Sequence, residues 1–171
     1  RRRCPRWRRP RRAEPGRVMP RVTSPIIRRV TADDAAAWLR MREALWPDET
    51  GSHAREIQDF LTGRLNMPLE VLLAVDEAGA PLGFVELSIR AYAEDCVTDR
   101  VAYLEGWYVV PDARRQGVGA ALVKAAEDWG RAQRCTEFAS DALLDNDVSA
   151  AAHHALGFEE TVQLRCFRKN L

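Results

Sequence analysis

The sequence predicts an α/β fold on a mixed sheet, and three features point there. Two apolar strands flank a Gly/Pro turn in the first half, strand and helix periods alternate in the second, and two helical periods precede the first hairpin. A chain of 171 residues suffices for one domain with a real core and is short for two.

Residues 26–30 read as the first strand. Thr31 caps a helix with Asp33 and Asp34 in its first turn, where the macrodipole favours acids, and Ala37, Leu39 and Leu45 build its apolar face. Trp46-Pro47 ends it, because a residue before Pro is pushed out of the α region. Ser52 opens a second helix bearing Ile57, Phe60, Leu61 and Leu65. EVLLAVD (70–76) and LGFVELSI (82–89) are strands joined by the hairpin signal EAGAP. A loop over 91–100 carries Tyr92 and three acids, and a strand over 101–110 follows. The remaining elements are a long helix over about 117–134, a strand over 136–140, a short helix over 150–156 stopped by Gly157, and an alternating last strand over 161–167. The chain shows no internal repeat.

Net charge is +1, but residues 1–17 hold nine Arg and one Glu, a charge of +8, so residues 18–171 carry −7. An acidic folded part favours a cationic small ligand and argues against nucleic acid. Residues 1–25 are rich in Arg and Pro without an apolar period, so they are expected to be a disordered leader ahead of a domain over 26–171. The leader reads either as read-through ahead of Met19 or as a basic arm; it lacks the apolar segment of a signal peptide. No run approaches the roughly 18 apolar residues of a membrane span. The four Cys (4, 96, 135, 166) form no C-x-x-C pair, which fits reduced thiols, and the three His have no metal-ligand spacing, so no metal is expected.

The stretch Val109-Val-Pro-Asp-Ala-Arg-Arg-Gln-Gly-Val-Gly119 carries the chemistry. At a helix start several backbone N–H groups lack partners and the dipole leaves partial positive charge. Gly117 and Gly119 remove side chains that would keep a phosphate away, and Arg114 and Arg115 add full charge beside the same point, which reads as a diphosphate site. A plain tight turn with an exposed basic pair is the alternative. A P-loop is excluded because no G-x-x-x-x-G-K-[ST] occurs.

Arg114-Arg-Gln-Gly-Val-Gly119 matches the R/Q-x-x-G-x-G/A signature of the GCN5-related N-acetyltransferases, and the chain resembles that superfamily from residue 26 onward. The resemblance implies a mostly antiparallel central sheet flanked by helices and acetyl-coenzyme A as co-substrate. It places the pyrophosphate on Arg115, Gln116, Gly117, Val118, Gly119 and Ala120, and the pantetheine arm on the backbone of Trp107, Tyr108 and Val109, in a strand splayed from its neighbour. Asn146 matches a further cofactor contact. Further stretches, LWP (45–47), YLEGWYVVP (103–111), ASD (139–141) and HHALGFEE (153–160), resemble the aminoglycoside 6'-N-acetyltransferases, resistance enzymes that acetylate one amino group of a polycationic sugar. That likeness implies that Trp46, Tyr92, Glu105 and Asp141 contact the drug, and that the protein is a cytoplasmic homodimer. Val162 stands where the family has a further Glu, which leaves the drug spectrum open.

An aliphatic amine is mostly protonated at neutral pH, yet only its lone pair attacks a thioester. A carboxylate near the amine can hold the cation and accept its proton. Glu105 is the expected base, directly or through a water, and Asp141 can share the work; two acids in one cleft would raise each other's pKa. Backbone N–H groups near Val109 are expected to stabilise charge developing on the carbonyl oxygen. His153 is either a general acid or a packed helix residue. The acidic cleft equally suits a polyamine, another small amine or a protein amine, and a non-catalytic acetyl-coenzyme A-binding protein is the reading from a different class.

Overall fold

The computed structural model describes residues 24–47, 50–65 and 67–170. The Arg-rich leader lies outside the described residues except for Ser24 and Pro25, which run directly into the sheet. The elements are β1 (Ile26–Arg29), α1 (Ala35–Leu45), α2 (Ser52–Leu61), β2 (Glu70–Val75), β3 (Pro81–Arg90), β4 (Val101–Val109), α3 (Val118–Ala132), β5 (Phe138–Ser140) and α4 (Asp147–Ala155). The strands lie in chain order, antiparallel from β1 to β4, and β5 joins β4 in parallel. That parallel step requires a crossover, which α3 supplies. The sheet is therefore mixed and mostly antiparallel, with helices on both faces.

Strand alternation divides the apolar residues between two cores. Val71, Leu73, Val75 and Phe84 meet Trp38, Met41 and Ile57 of α1 and α2 on one face. Leu72, Ala74, Val85, Leu87 and Leu104 meet Val118, Leu122, Val123 and Ala126 of α3 on the other. β2 is buried along its whole length because both faces are covered, which is why it reads as a continuous apolar run.

The entry to α1 is pinned electrostatically. Arg28 donates to both carboxylate oxygens of Asp34 at 2.7 and 2.8 Å, and Asp34 Oδ2 also accepts from the Thr31 N–H and hydroxyl at 2.8 Å each. These bonds hold the Asp34 carboxyl well below the usual carboxylate range. As expected, α1 stops before Trp46-Pro47, with Trp46 in an extended conformation.

One expected element is absent from the described residues. Residues 161–167 form no strand: they run exposed and without regular structure after α4. Alternation specifies two faces, but a strand also needs a neighbour to accept its backbone bonds, and among the described residues β5 pairs only with β4.

Candidate active site

The site begins at an irregularity in the β3–β4 ladder. Glu86 pairs with Gly106 while Leu87 pairs with Leu104, so Glu105 is the extra residue of a bulge. The bulge turns Glu105 and Gly106 successively toward the α1–α2 side, whereas Leu104 and Trp107 belong to the α3 core. Gly106 leaves a bare spot on the sheet, and the Trp46 ring lies against it. A cleft of about 400 Å³ opens there, lined by Trp46, His53, Glu86, Glu105 and Arg42 among others.

Glu105 is held from two sides. It accepts a hydrogen bond from the Ser88 hydroxyl, and Arg90 donates to its two oxygens at 2.9 Å from Nε and 2.5 Å from Nη2. Arg90 in turn lies 3.4 Å from the centroid of the Tyr103 ring, whose hydroxyl donates to Asp141 Oδ1 at 2.8 Å. Burial and the bond to Asp141 push the Tyr103 hydroxyl well above its ordinary pKa, so it stays a donor. The two expected acids are thus joined through Arg90 and Tyr103, and the nearest charged partner of Glu105 is Arg90. Behind them Glu86 is only 2% exposed, accepting from Trp38 Nε1 at 2.8 Å and lying 3.1 Å from Arg42 Nε. Burial pushes its carboxyl up, against the pull of Arg42.

The cofactor side is built from an open strand edge and a helix start. β5 pairs with β4 only at Ala102, Tyr103 and Leu104, while β4 runs on to Val109, so the two strands part after Leu104. The Val110 N–H bonds to Leu82 O on β3. Strand alternation then directs the N–H groups of Trp107 and Val109 into the gap, and the backbone of Tyr108 belongs to the β3 ladder. Beyond the strand, Arg115 and Gly117 take φ of 58° and 82°, and the first helical bond of α3 runs from the Ala121 N–H to Gly117 O. The N–H groups of Val118, Gly119 and Ala120 therefore lie at the helix start, where an anion is favoured. Both arginines of the pair are exposed, and Arg114 Nε donates to Val109 O at 2.9 Å. Gly119 has a packing reason of its own, because a Cβ there would stand 2.8 Å from the Trp107 ring. Gln116 Nε2 donates to Asp112 O and steadies the turn.

Asn146 caps α4, accepting from the Ser149 N–H at 3.1 Å. His153 is half-buried: Nδ1 meets Ser149 O at 2.8 Å, Nε2 meets Ser140 Oγ at 3.1 Å, and the ring stands edge-on to Trp107 and Phe158. Tyr92 lies apart from the cleft lining, 69% exposed on a loop that Glu137 ties down through Val97 and Thr98. Among the described residues no cluster of His, Cys, Asp or Glu has metal-binding geometry. Sequence reasoning missed Ser88, Arg90, Tyr103, Glu86, Arg42 and His53. The signal was available for three of them, since Glu86, Ser88 and Arg90 recur at every second position of an otherwise apolar strand.

Comparison with known proteins places this arrangement. The profile of the acetyltransferase (GNAT) family matches residues 38–158. An aminoglycoside N(6')-acetyltransferase type 1 from Klebsiella aerogenes is 59% identical over 150 residues, spanning 87% of this chain and 99% of its own. Its counterpart from Acinetobacter genomosp. 13 is 42% identical over 80% of this chain and 92% of its own. Among solved structures, AAC(6')-Iy in complex with the bisubstrate analogue CoA-S-monomethyl-acetylneamine superposes with a TM-score of 0.79 at 32% identity, over 87% of this chain and all of the other. The aminoglycoside 6'-N-acetyltransferase AAC(6')-Ih from Acinetobacter baumannii gives the same score at 38% identity, over 86% and 99%. The chain belongs to the acetyltransferase (GNAT) family and, within it, to the aminoglycoside N(6')-acetyltransferases.

Proposed function

We propose that the protein transfers the acetyl group of acetyl-coenzyme A to the 6'-amino group of aminoglycoside antibiotics and so confers resistance to them. The observation that carries this is the juxtaposition of an acidic cleft, walled by Trp46 and holding Glu105, with the open edge of β4. The residues fit the co-substrate: the N–H groups of Trp107 and Val109 face the gap, and the start of α3 with Arg115, Gln116, Gly117, Val118, Gly119 and Ala120 suits its pyrophosphate. Acetyl-coenzyme A supplies an acetyl thioester; a C–N bond forms, the C–S bond breaks, and the thiolate leaves to take up a proton.

This chain's residues do the remaining work. Glu105, oriented by Ser88 and Arg90, and Asp141, oriented by Tyr103, hold the ammonium and accept its proton directly or through a water, freeing the lone pair. The Val109 N–H meets charge developing on the carbonyl oxygen. Trp46 offers a flat wall to a sugar ring, Tyr92, outside the cleft lining, meets a part of the drug that extends beyond the cleft, and Asn146 contacts the cofactor beside its capping bond. No helix among the described residues is long and apolar enough to cross a membrane. A cytoplasmic location is supported by the compartment of the co-substrate. A homodimer is supported by the open edge of β5 and the exposed apolar Val162, Leu164 and Phe167 of the same chain, and sedimentation mass tests it.

The test is release of free thiol from acetyl-coenzyme A with kanamycin, against an aminoglycoside that carries a 6'-hydroxyl. Release with kanamycin alone is expected, and Glu105→Gln should abolish turnover while leaving acetyl-coenzyme A binding intact. Silence with both drugs, in a folded protein that binds acetyl-coenzyme A, overturns the aminoglycoside reading in favour of a polyamine or peptide amine.

A further inference from the structure

Trp46 follows a helix end and precedes a proline, a place where a ring would ordinarily be free to swing. Here its backbone is held at two points and its ring at two more. The backbone N–H donates to Arg42 O at 2.8 Å, and the backbone carbonyl accepts from His53 Nε2 at 2.8 Å. The Arg42 guanidinium lies 5.6 Å from its ring centroid, and the ring rests on Gly106. Each fastening group is itself fixed: Arg42 bridges Glu86 on β3 and Glu56 on α2, and His53 is 9% exposed on the first turn of α2, 3.9 Å from Glu56. A buried ion pair of this kind is a poor source of net stability but a strict constraint on geometry.

We propose that His53, backed by the Glu86–Arg42–Glu56 relay, is a positioning residue that sets Trp46 as a preformed wall of the acceptor cleft. The ordering of the ring is then met on folding and not on binding, which tightens acceptor affinity without touching the chemical step. The inference rests on the proposed acceptor, and its test separates the two. His53→Leu removes the donor to Trp46 O, and His53→Gln restores one. With kanamycin, His53→Leu is expected to raise KM by about three- to tenfold, the span set by ordering one large side chain, with kcat and the KM of acetyl-coenzyme A unchanged. His53→Gln should recover most of the loss.

A second readout needs no turnover. Acrylamide quenching of tryptophan fluorescence, compared with and without Trp46→Phe, isolates Trp46, and His53→Leu should make that component more accessible. If Trp46 quenching is unchanged in His53→Leu, or kanamycin KM is unchanged while the protein stays folded, the proposal is overturned. It is likewise overturned if kcat, both KM values and Tm all worsen together and His53→Gln rescues none of them. If the parent protein itself releases no thiol with kanamycin, the acceptor reading has failed, and quenching alone decides the positioning role.

Discussion

Gly106 is a glycine because the Trp46 ring occupies the space a side chain would fill. Its backbone is not left-handed, so Gly106→Ala costs nothing in φ, and its whole effect falls on the ring. The added methyl must push Trp46 off the sheet against its bonds to Arg42 and His53. We expect a loss of about 1–3 kcal/mol in stability from overpacking and a raised KM for kanamycin. Thermal unfolding and steady-state kinetics on the same preparation check both, and an unchanged KM would separate Trp46 from the acceptor. The sequence made Trp46 and Glu105 visible through the motifs around them. It could not show that the bulge sets them side by side, because a bulge is a property of the pairing between strands and not of either strand alone. The polar alternation that ends on Arg90 was readable, but its partners were not, since Glu105 and Tyr103 lie across the ladder.

At the scale of elements, caps, breakers and apolar periods located α1, β2, β3, β4 and α3 closely, because those signals are local, whereas α2 ends at Leu61, a turn short of the Leu65 expected on it. The last expected strand failed because alternation over 161–167 names a face without naming a partner. The β1–α1 junction shows a local signal gaining a tertiary partner: the Thr31–Asp34 cap is reinforced by Arg28. The folded carboxyl of Asp34 is depressed, so its contribution is fully present above its unfolded pKa, near 4, and is lost as pH falls below that. Asp34→Asn should therefore lower stability near pH 7 by about 1 kcal/mol, or roughly 2–4 °C in Tm. The gap to the parent protein should close on acidification through about pH 4 and below. Tm measured against pH for both proteins checks this, and a gap that stays constant down to pH 3 would remove Asp34 from the acid response.

For the whole molecule the governing quantity is charge. Residues 18–171 carry −7 and residues 1–17 carry +8, so the intact chain is nearly neutral. A polycationic acceptor approaching a cleft that holds Glu105, with Asp141 linked to it through Tyr103 and Arg90, feels the summed field of the chain as well as these two acids. The leader opposes that field, since its nine Arg belong to the same molecule. Deleting residues 1–17 should therefore leave kcat and Tm unchanged, because their sequence has no apolar period to join the core, and should lower the KM of kanamycin at low ionic strength. Screening over about 10 Å at 0.1 M salt, and about 3 Å at 1 M, should erase the difference between the two chains as salt is added. KM measured across that range for both chains decides the matter. A difference that persists at 1 M salt would mean the leader touches the acceptor directly, and a fall in kcat or Tm would make it part of the domain.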